Sequence, residues 1–142
     1  MSFTVAAADY ARDHAELHAV REAVFVREQG VPPELERDAL DPLSHHVLAR
    51  DGAGRVVGTA RLTPERRIGR MAVLAAERGR GIGEAMLEAL LDEARRRGWP
   101  EVALHAQAHA LPFYARAGFV PCGPAFVEAG IVHRGMRRRL PG

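Results

Sequence analysis

The chain has 142 residues, 47% of them hydrophobic, with a formal net charge of +2, enough for one well-cored domain over residues 1–142 and too little for two ordinary ones. So weak a charge gives no electrostatic case for a nucleic-acid partner, and no apolar run approaches the roughly 18 residues of a membrane span. Met1-Ser2-Phe3-Thr4 lacks the basic region, apolar stretch and cleavage site of a signal peptide, so a cytoplasmic protein is the expectation.

A first strand is expected at residues 3–7. Residues 14–29 then read as a helix with Leu17, Val20, Val24 and Phe25 as its apolar stripe. Gly30 ends it, and Val31-Pro32-Pro33 prevents a restart. Glu28 falls on the same stripe, four residues after Val24, so it either reaches out at the rim or is buried for a purpose; Arg21 is one candidate partner. Residues 32–42 are acidic and proline-punctuated, and read as an ordered loop. Strands at 46–50 and 55–62 follow, joined by Asp51-Gly52-Ala53-Gly54, a hairpin signal. Thr63-Pro64-Glu65 turns the chain into a strand over 68–74, completing an antiparallel meander.

Residues 82–97 read as a helix with Ala85, Met86, Ala89 and Leu90 on one face; Asp92 and Glu93 are spaced to pair with Arg96 and Arg97 at i,i+4, and Gly98 stands as its C′ residue. Residues 101–106 alternate like a strand. Residues 111–117 form a short helix with Pro112 in its first turn, and strands are expected at 119–122 and 132–140. A strand, a glycine turn, a helix and a strand embedded in an antiparallel series imply a mixed sheet with helices packed on it.

The most informative stretch is Arg78-Gly79-Arg80-Gly81-Ile82-Gly83. Glycines at every second position let the chain turn sharply, adopt φ > 0 where needed, and bring backbone N–H groups close to a ligand. The helix that follows adds unpaired N–H groups and roughly half a positive charge. This is a pyrophosphate cradle. It is not a P-loop, which requires lysine: all 20 basic residues here are arginine. Nor is it a dinucleotide fingerprint, because Glu84 follows Gly83 and the run comes after a meander.

With Arg78, Gly81 and Gly83 in the defining places, the run resembles the Arg/Gln-x-x-Gly-x-Gly/Ala signature of the GCN5-related N-acetyltransferases. Residues 24–32, Asp38, Asp41, His46, the Phe113-Tyr114-Ala115-Arg116-Ala117-Gly118-Phe119 segment and residues 128–133 are similar to a branch of small bacterial acetyltransferases related to ElaA and YjcF. The resemblance implies an α/β (α+β) GNAT fold, a mixed, mostly antiparallel sheet with a V-shaped splay between its two central strands, in a monomer or homodimer. It implies acetyl-CoA as cosubstrate, an amine acceptor and no metal. Met71, Ala72 and Val73 would bond the pantetheine arm like an added strand. The pyrophosphate would fall on Gly79, Arg80, Gly81, Ile82, Gly83 and Glu84, with Arg78 and Arg80 as charge partners. Phe113, Tyr114 and Arg116 would line the cofactor's other side.

Acetyl transfer from a thioester to an amine needs a neutral amine, a stabilised oxyanion and a proton for the leaving thiolate. By resemblance, the Val73 N–H would serve the thioester carbonyl and Tyr114 would be the general acid. The base is left open among Glu128, His133 and Glu28, with a hairpin anchor, a strand-facing core histidine and an acceptor-binding carboxylate as their alternative roles. His45, His46, His105 and His109 lack the supporting ligands of a metal site. Cys122 reads as a bystander, and Arg137-Arg138-Arg139 as a solvated strand end. The leading expectation is an N-acetyltransferase for a small amine or peptide N-terminus. A non-catalytic acyl-CoA-binding regulator and a protein lysine acetyltransferase are the alternatives.

Overall fold

Seven strands and four α-helices are built from residues 2–141, which the computed structural model describes. Strands β1 (Phe3–Ala7), β2 (His45–Asp51), β3 (Val56–Leu62) and β4 (Arg67–Val73) form an antiparallel meander. Strand β5 (Glu101–Gln107) runs parallel to β4, and β7 (Ile131–Arg139) inserts between β5 and β6 (Val120–Glu128), giving the order β1-β2-β3-β4-β5-β7-β6. Helices α1 (Tyr10–Arg21), α2 (Pro33–Glu36), α3 (Ile82–Arg96) and α4 (Leu111–Arg116) complete the mixed α/β fold.

Alternation along β2 divides the core. Leu48 faces one side with Val56 and Ala72, where α1 and the turns that continue it lay Leu17, Val20 and Val24 over them. Val47 and Ala49 face the other, where α3 buries Ile82, Met86, Leu87, Leu90, Leu91 and Ala94. Ala85 and Ala89, expected on that face, lie at its rim. The close approach of α3 needs Gly58, since a Cβ there would meet Met86 Cε at 3.1 Å and Ile82 Cγ2 at 3.2 Å. Of the helix pairs expected at i,i+4, Glu93–Arg97 forms, while Asp92 turns to Arg95 at i,i+3.

Four other expectations are corrected. The first helix begins at Tyr10, capped by the Asp9 carboxylate, and its last turns, Glu22–Glu28, are π-helical. Residues 32–42 hold α2, whose start at Pro33 uses a proline where no N–H is missed. Strand β6 reaches Glu128, and its turn into β7 places Ala129 (φ 52°) and Gly130 (φ 77°) in the left-handed region, as tight antiparallel turns require. Arg21 has no contact with Glu28; it lies buried beneath α2.

There Arg21 donates to both Asp41 carboxylate oxygens (2.7 and 3.1 Å), to the Glu36 carbonyl (2.7 Å) and to the Glu36 carboxylate. Arg61 donates to Asp41 (2.7 Å) and to both oxygens of Asp38 (2.6 and 2.8 Å). His46 Nε2–H donates to the Asp41 carbonyl at 2.7 Å. Burial alone would raise the Asp41 carboxyl, but the bonds and charge of Arg21, the Asp38 N–H and Arg61 outweigh it and hold it well below the usual carboxylate range. Helix α1 and strand β3 are thereby fastened to one loop through a single carboxylate.

Two consequences are measurable. Asp41→Ala leaves two buried guanidinium groups short of a partner and is expected to cost about 3–5 kcal/mol in urea unfolding at neutral pH. Because the folded carboxyl is depressed, that difference should stay whole above about pH 4 and shrink only in stronger acid. His18 behaves oppositely. Burial, then the nearby Arg21 and Arg37, lower it from 6.5 to about 4. The unfolded chain therefore takes up this proton first, and stability should fall as pH drops from about 6.5 to about 4. In His18→Gln that slope should be shallower in pH-dependent thermal unfolding.

Candidate active site

The site begins where β4 leaves β5. The two strands pair only at Arg67↔Ala103 and Ile68↔Leu104, after which β4 continues to Val73 bonded to β3 alone. Arg70 sits at φ 48°, in the left-handed region, at the point where the register between β3 and β4 shifts. Such a bulge bends its strand and increases the local twist. Beyond it, the edge of Met71 to Val73 that faces β5 has no strand partner among the described residues. A cavity of about 970 Å³ opens there, lined by Met71, Ala72 and Val73, by Glu28 and Gln29 from the end of the first helix, by Phe113 and Tyr114 of α4, and by Glu128 and His133 of the last hairpin.

The glycine run lies at one end, around a smaller adjoining hollow of about 350 Å³ lined by Val73, Glu77, Arg78, Gly79, Gly81, Ile82, Gly83, Glu84 and Phe113. Gly79 (φ 81°) and Gly81 (φ 83°) are left-handed, and Gly81 is the N-cap of α3. Nothing lies within 4 Å of where a Cβ of Gly79 would stand, so the backbone there faces open space. Gly83 has a different reason: its absent Cβ would meet Phe113 Cζ at 3.3 Å. Ile82 is buried and anchors the turn. This geometry fits a diphosphate, with left-handed turns and a 15-residue helix presenting its first N–H groups.

The arginines are placed less simply. Arg78 donates to both oxygens of Glu28 (2.7 Å each) and to the Val73 carbonyl (3.0 Å), a bridge from β4 to the first helix. The Arg78 hydrogen bond, more than its charge, lowers the Glu28 carboxyl, so Glu28 is an ion-pair partner and a poor base. Arg80 turns to Glu77 (2.9 Å) and lines neither hollow. Arg116 is exposed and also lines neither, because the six-residue α4 points Tyr114 inward and Arg116 away. Both depart from the expectation that they flank a cofactor.

Tyr114 is 9% exposed, its hydroxyl donates to Met71 Sδ at 3.9 Å, and its ring meets Phe113 and Phe119 edge-on. Burial pushes its pKa up to about 12, so it stays protonated. At the far end, Glu128 stands between two histidines. His105 Nδ1 is 3.0 Å from Glu128 Oε1, and His133 Nε2 is 3.9 Å from Oε2. His133 Nδ1–H donates to the Ile131 carbonyl at 2.7 Å, which turns Nε2 with its lone pair toward the carboxylate.

Sequence reasoning weighed His105 only as a metal ligand and passed over Arg67 and the amides. Gln29 and Gln107 exchange two hydrogen bonds (3.2 and 2.8 Å) between the first helix and β5. The register places Gln107, His133 and Phe126 abreast on three strands, and Phe126 packs against both His133 and His105. Only period-two alternation from Gln107 back to His105 hinted at it. Among the described residues no group of three or more His, Cys, Asp or Glu is placed to hold a metal. No helix there is long and apolar enough to cross a membrane.

Residues 6–140 match the acetyltransferase (GNAT) domain family. The chain is 38% identical over 123 residues to the uncharacterized N-acetyltransferase YjcF of Bacillus subtilis strain 168, covering 84% of this chain and 87% of that protein. It is 34% identical over 130 residues to protein ElaA of Escherichia coli strain K12, covering 85% and 84%. A crystal structure of an acyl-CoA N-acyltransferase from Pseudomonas aeruginosa superposes with a TM-score of 0.84 at 35% identity, over 96% of this chain and 99% of that one.

The glycine turn yields a direct test. Gly81→Val would force a branched side chain into a left-handed N-cap, and Gly83→Val would push Phe113 from the groove. Coenzyme A affinity by calorimetry should fall at least tenfold in each, about 1.4 kcal/mol, with far-UV circular dichroism retained. Undiminished affinity in a folded variant would remove the turn from binding.

Proposed function

The chain belongs to the GNAT acetyltransferase family, and from that premise we propose an acetyl-CoA-dependent N-acetyltransferase that moves an acetyl group directly to a primary amine of a small molecule or peptide within a ternary complex. One observation carries the reading. The cavity and the hollow adjoining it, which share Val73, Arg78, Gly83 and Phe113, bring together the free edge of β4, the glycine cradle, a protonated phenol and a carboxylate flanked by imidazoles.

In this reading the free edge of residues 71–73 receives the extended pantetheine arm, and the cradle receives the diphosphate. The thioester then lies beside Tyr114, with the Val73 N–H as oxyanion donor. Glu128 attracts the acceptor's ammonium and takes up its proton, with His133 Nε2 oriented to share it. The neutral amine attacks the thioester carbon; the new N–C bond forms as the C–S bond breaks. Of the two protons the amine gives up, one leaves through Glu128 to solvent. The other is matched at the sulfur by the proton from Tyr114, whose phenoxide is restored from the medium. A phenol held near 12 is fully protonated at neutral pH and so carries a proton beside the sulfur as negative charge develops there. Glu28, paired with Arg78, contributes charge and position to the same wall.

Tyr114→Phe keeps the ring and removes the proton. Turnover should drop about 10²- to 10⁴-fold, while acetyl-CoA affinity changes little. Near-normal single-turnover rates would make Tyr114 a packing residue. Glu128→Gln should raise the acceptor KM or lower kcat and flatten the acid limb of the pH–rate profile. Its acetyl-CoA affinity should stay within about twofold, roughly 0.4 kcal/mol. His133→Gln and Glu28→Gln in parallel identify the base as the residue whose loss removes that limb.

A further inference from the structure

Four arginines line the cavity, and three of them are occupied. Arg61 is held by Asp38 and Asp41, Arg70 by Asp38 and the carbonyls of Leu35 and Glu36, and Arg78 by Glu28. Arg67 alone among them has no carboxylate within salt-bridge distance among the described residues. Its guanidinium instead rests on the ring of His105, with Nη2 at 2.5 and 2.7 Å from the two ring nitrogens. The same ring touches the Glu128 carboxylate from its Nδ1 side. An unpaired cation and the carboxylate assigned to the amine are thus one imidazole apart, at the end of the cavity away from the glycine cradle.

Resting on the acetyltransferase reading, we propose that the acceptor is a short amino acid, its ammonium received by Glu128 and its carboxylate by Arg67. A guanidinium's planar fork matches a carboxylate with two parallel bonds, and Arg67 uses only Nη2 in the present contacts. The spacing restricts the ligand. Two protein charges separated by one ring meet a molecule whose own opposite charges are a few bonds apart, as in α- and β-amino acids. A polyamine offers Arg67 nothing but repulsion, although Glu65 in the exposed turn before β4 would give it a second carboxylate. His105 is the positioning residue, holding both charged groups in register.

The experiment uses the full chain with saturating acetyl-CoA and matched acceptor sets: α- and β-amino acids, the amide of each, and each decarboxylated amine, with spermidine and putrescine alongside. Thiol release and product mass are read together. The expected result is that kcat/KM for acids exceeds that of their amides at least tenfold, and that Arg67→Gln collapses this ratio toward one through KM. Arg67→Lys, keeping charge without the fork, should restore part of the ratio. Equal use of acids and amides, preference for polyamines, or a loss in Arg67→Gln that is the same for acids and amides each overturns the amino-acid assignment while leaving the acetyltransferase reading in place. No turnover of any amine by protein that binds acetyl-CoA in calorimetry overturns both.

Discussion

A strand that parts from its neighbour halfway along is the constraint on which this molecule is organised. Backbone N–H and C=O groups inside a sheet are ordinarily paired on both sides, and beyond Ile68 the edge of β4 that faces β5 is not. The left-handed Arg70 sits at the divergence and re-aims the residues after it. The cavity is the space this parting leaves. Everything around it serves to hold the gap at fixed width: α3 closes one end, the first helix and Arg78 bridge one wall, the Gln29–Gln107 exchange spans to β5, and the last hairpin forms the far end.

The wall opposite the hairpin is fastened by charge. Arg21 makes four side-chain hydrogen bonds to two acidic residues from a site with no solvent exposure. An ammonium, a compact donor without a planar fork, could not bind two carboxylates and a carbonyl in one plane. The exclusive use of arginine, which composition alone would leave as a genomic habit, is therefore built into the architecture at Arg21, Arg61 and Arg70. Such networks add little net stability over apolar packing, but each partner becomes costly to lose. They favour a wall with one conformation.

What was legible in the sequence was local. The glycine turn at 79–83, the helix after it, the hairpin at Asp51–Gly54 and the glycine ends of helices all depend on residues within one turn of each other, and each is found where expected. The π-helical turns were not legible, because one residue added per turn leaves an apolar stripe that still reads as roughly helical. Nor were the long pairings: Arg21 meets Asp41 across 20 residues, Glu28 meets Arg78 across 50, and His105 meets Glu128 across 23. Asp38, Asp41 and His46 carry part of the family resemblance; Asp41 and His46 are buried, and the three fasten the loop. Arg116 was placed by analogy and not by its own helix, whose six residues offer a single inward face. In the proposed reading the donor's half is nearly contiguous, Met71 to Glu84 joined by Phe113 and Tyr114, whereas the acceptor's half is gathered from separate segments at Arg67, His105 and the last hairpin.

Strand β6 closes the sheet at the hairpin side and carries Pro121, Pro124 and a left-handed Gly123, where its register to β7 slips. Two of its nine positions offer no N–H, and the kink takes the Gly123 carbonyl inward to Arg134 at 3.1 Å. An incoming strand thus meets missing donors, a bent track and a carbonyl already in use. Exposed Val120, Val127 and Val132 make that margin sticky, yet the backbone denies it a ladder. Fibril-like stacking is disfavoured at this margin, where the prolines and the kink interrupt any added ladder.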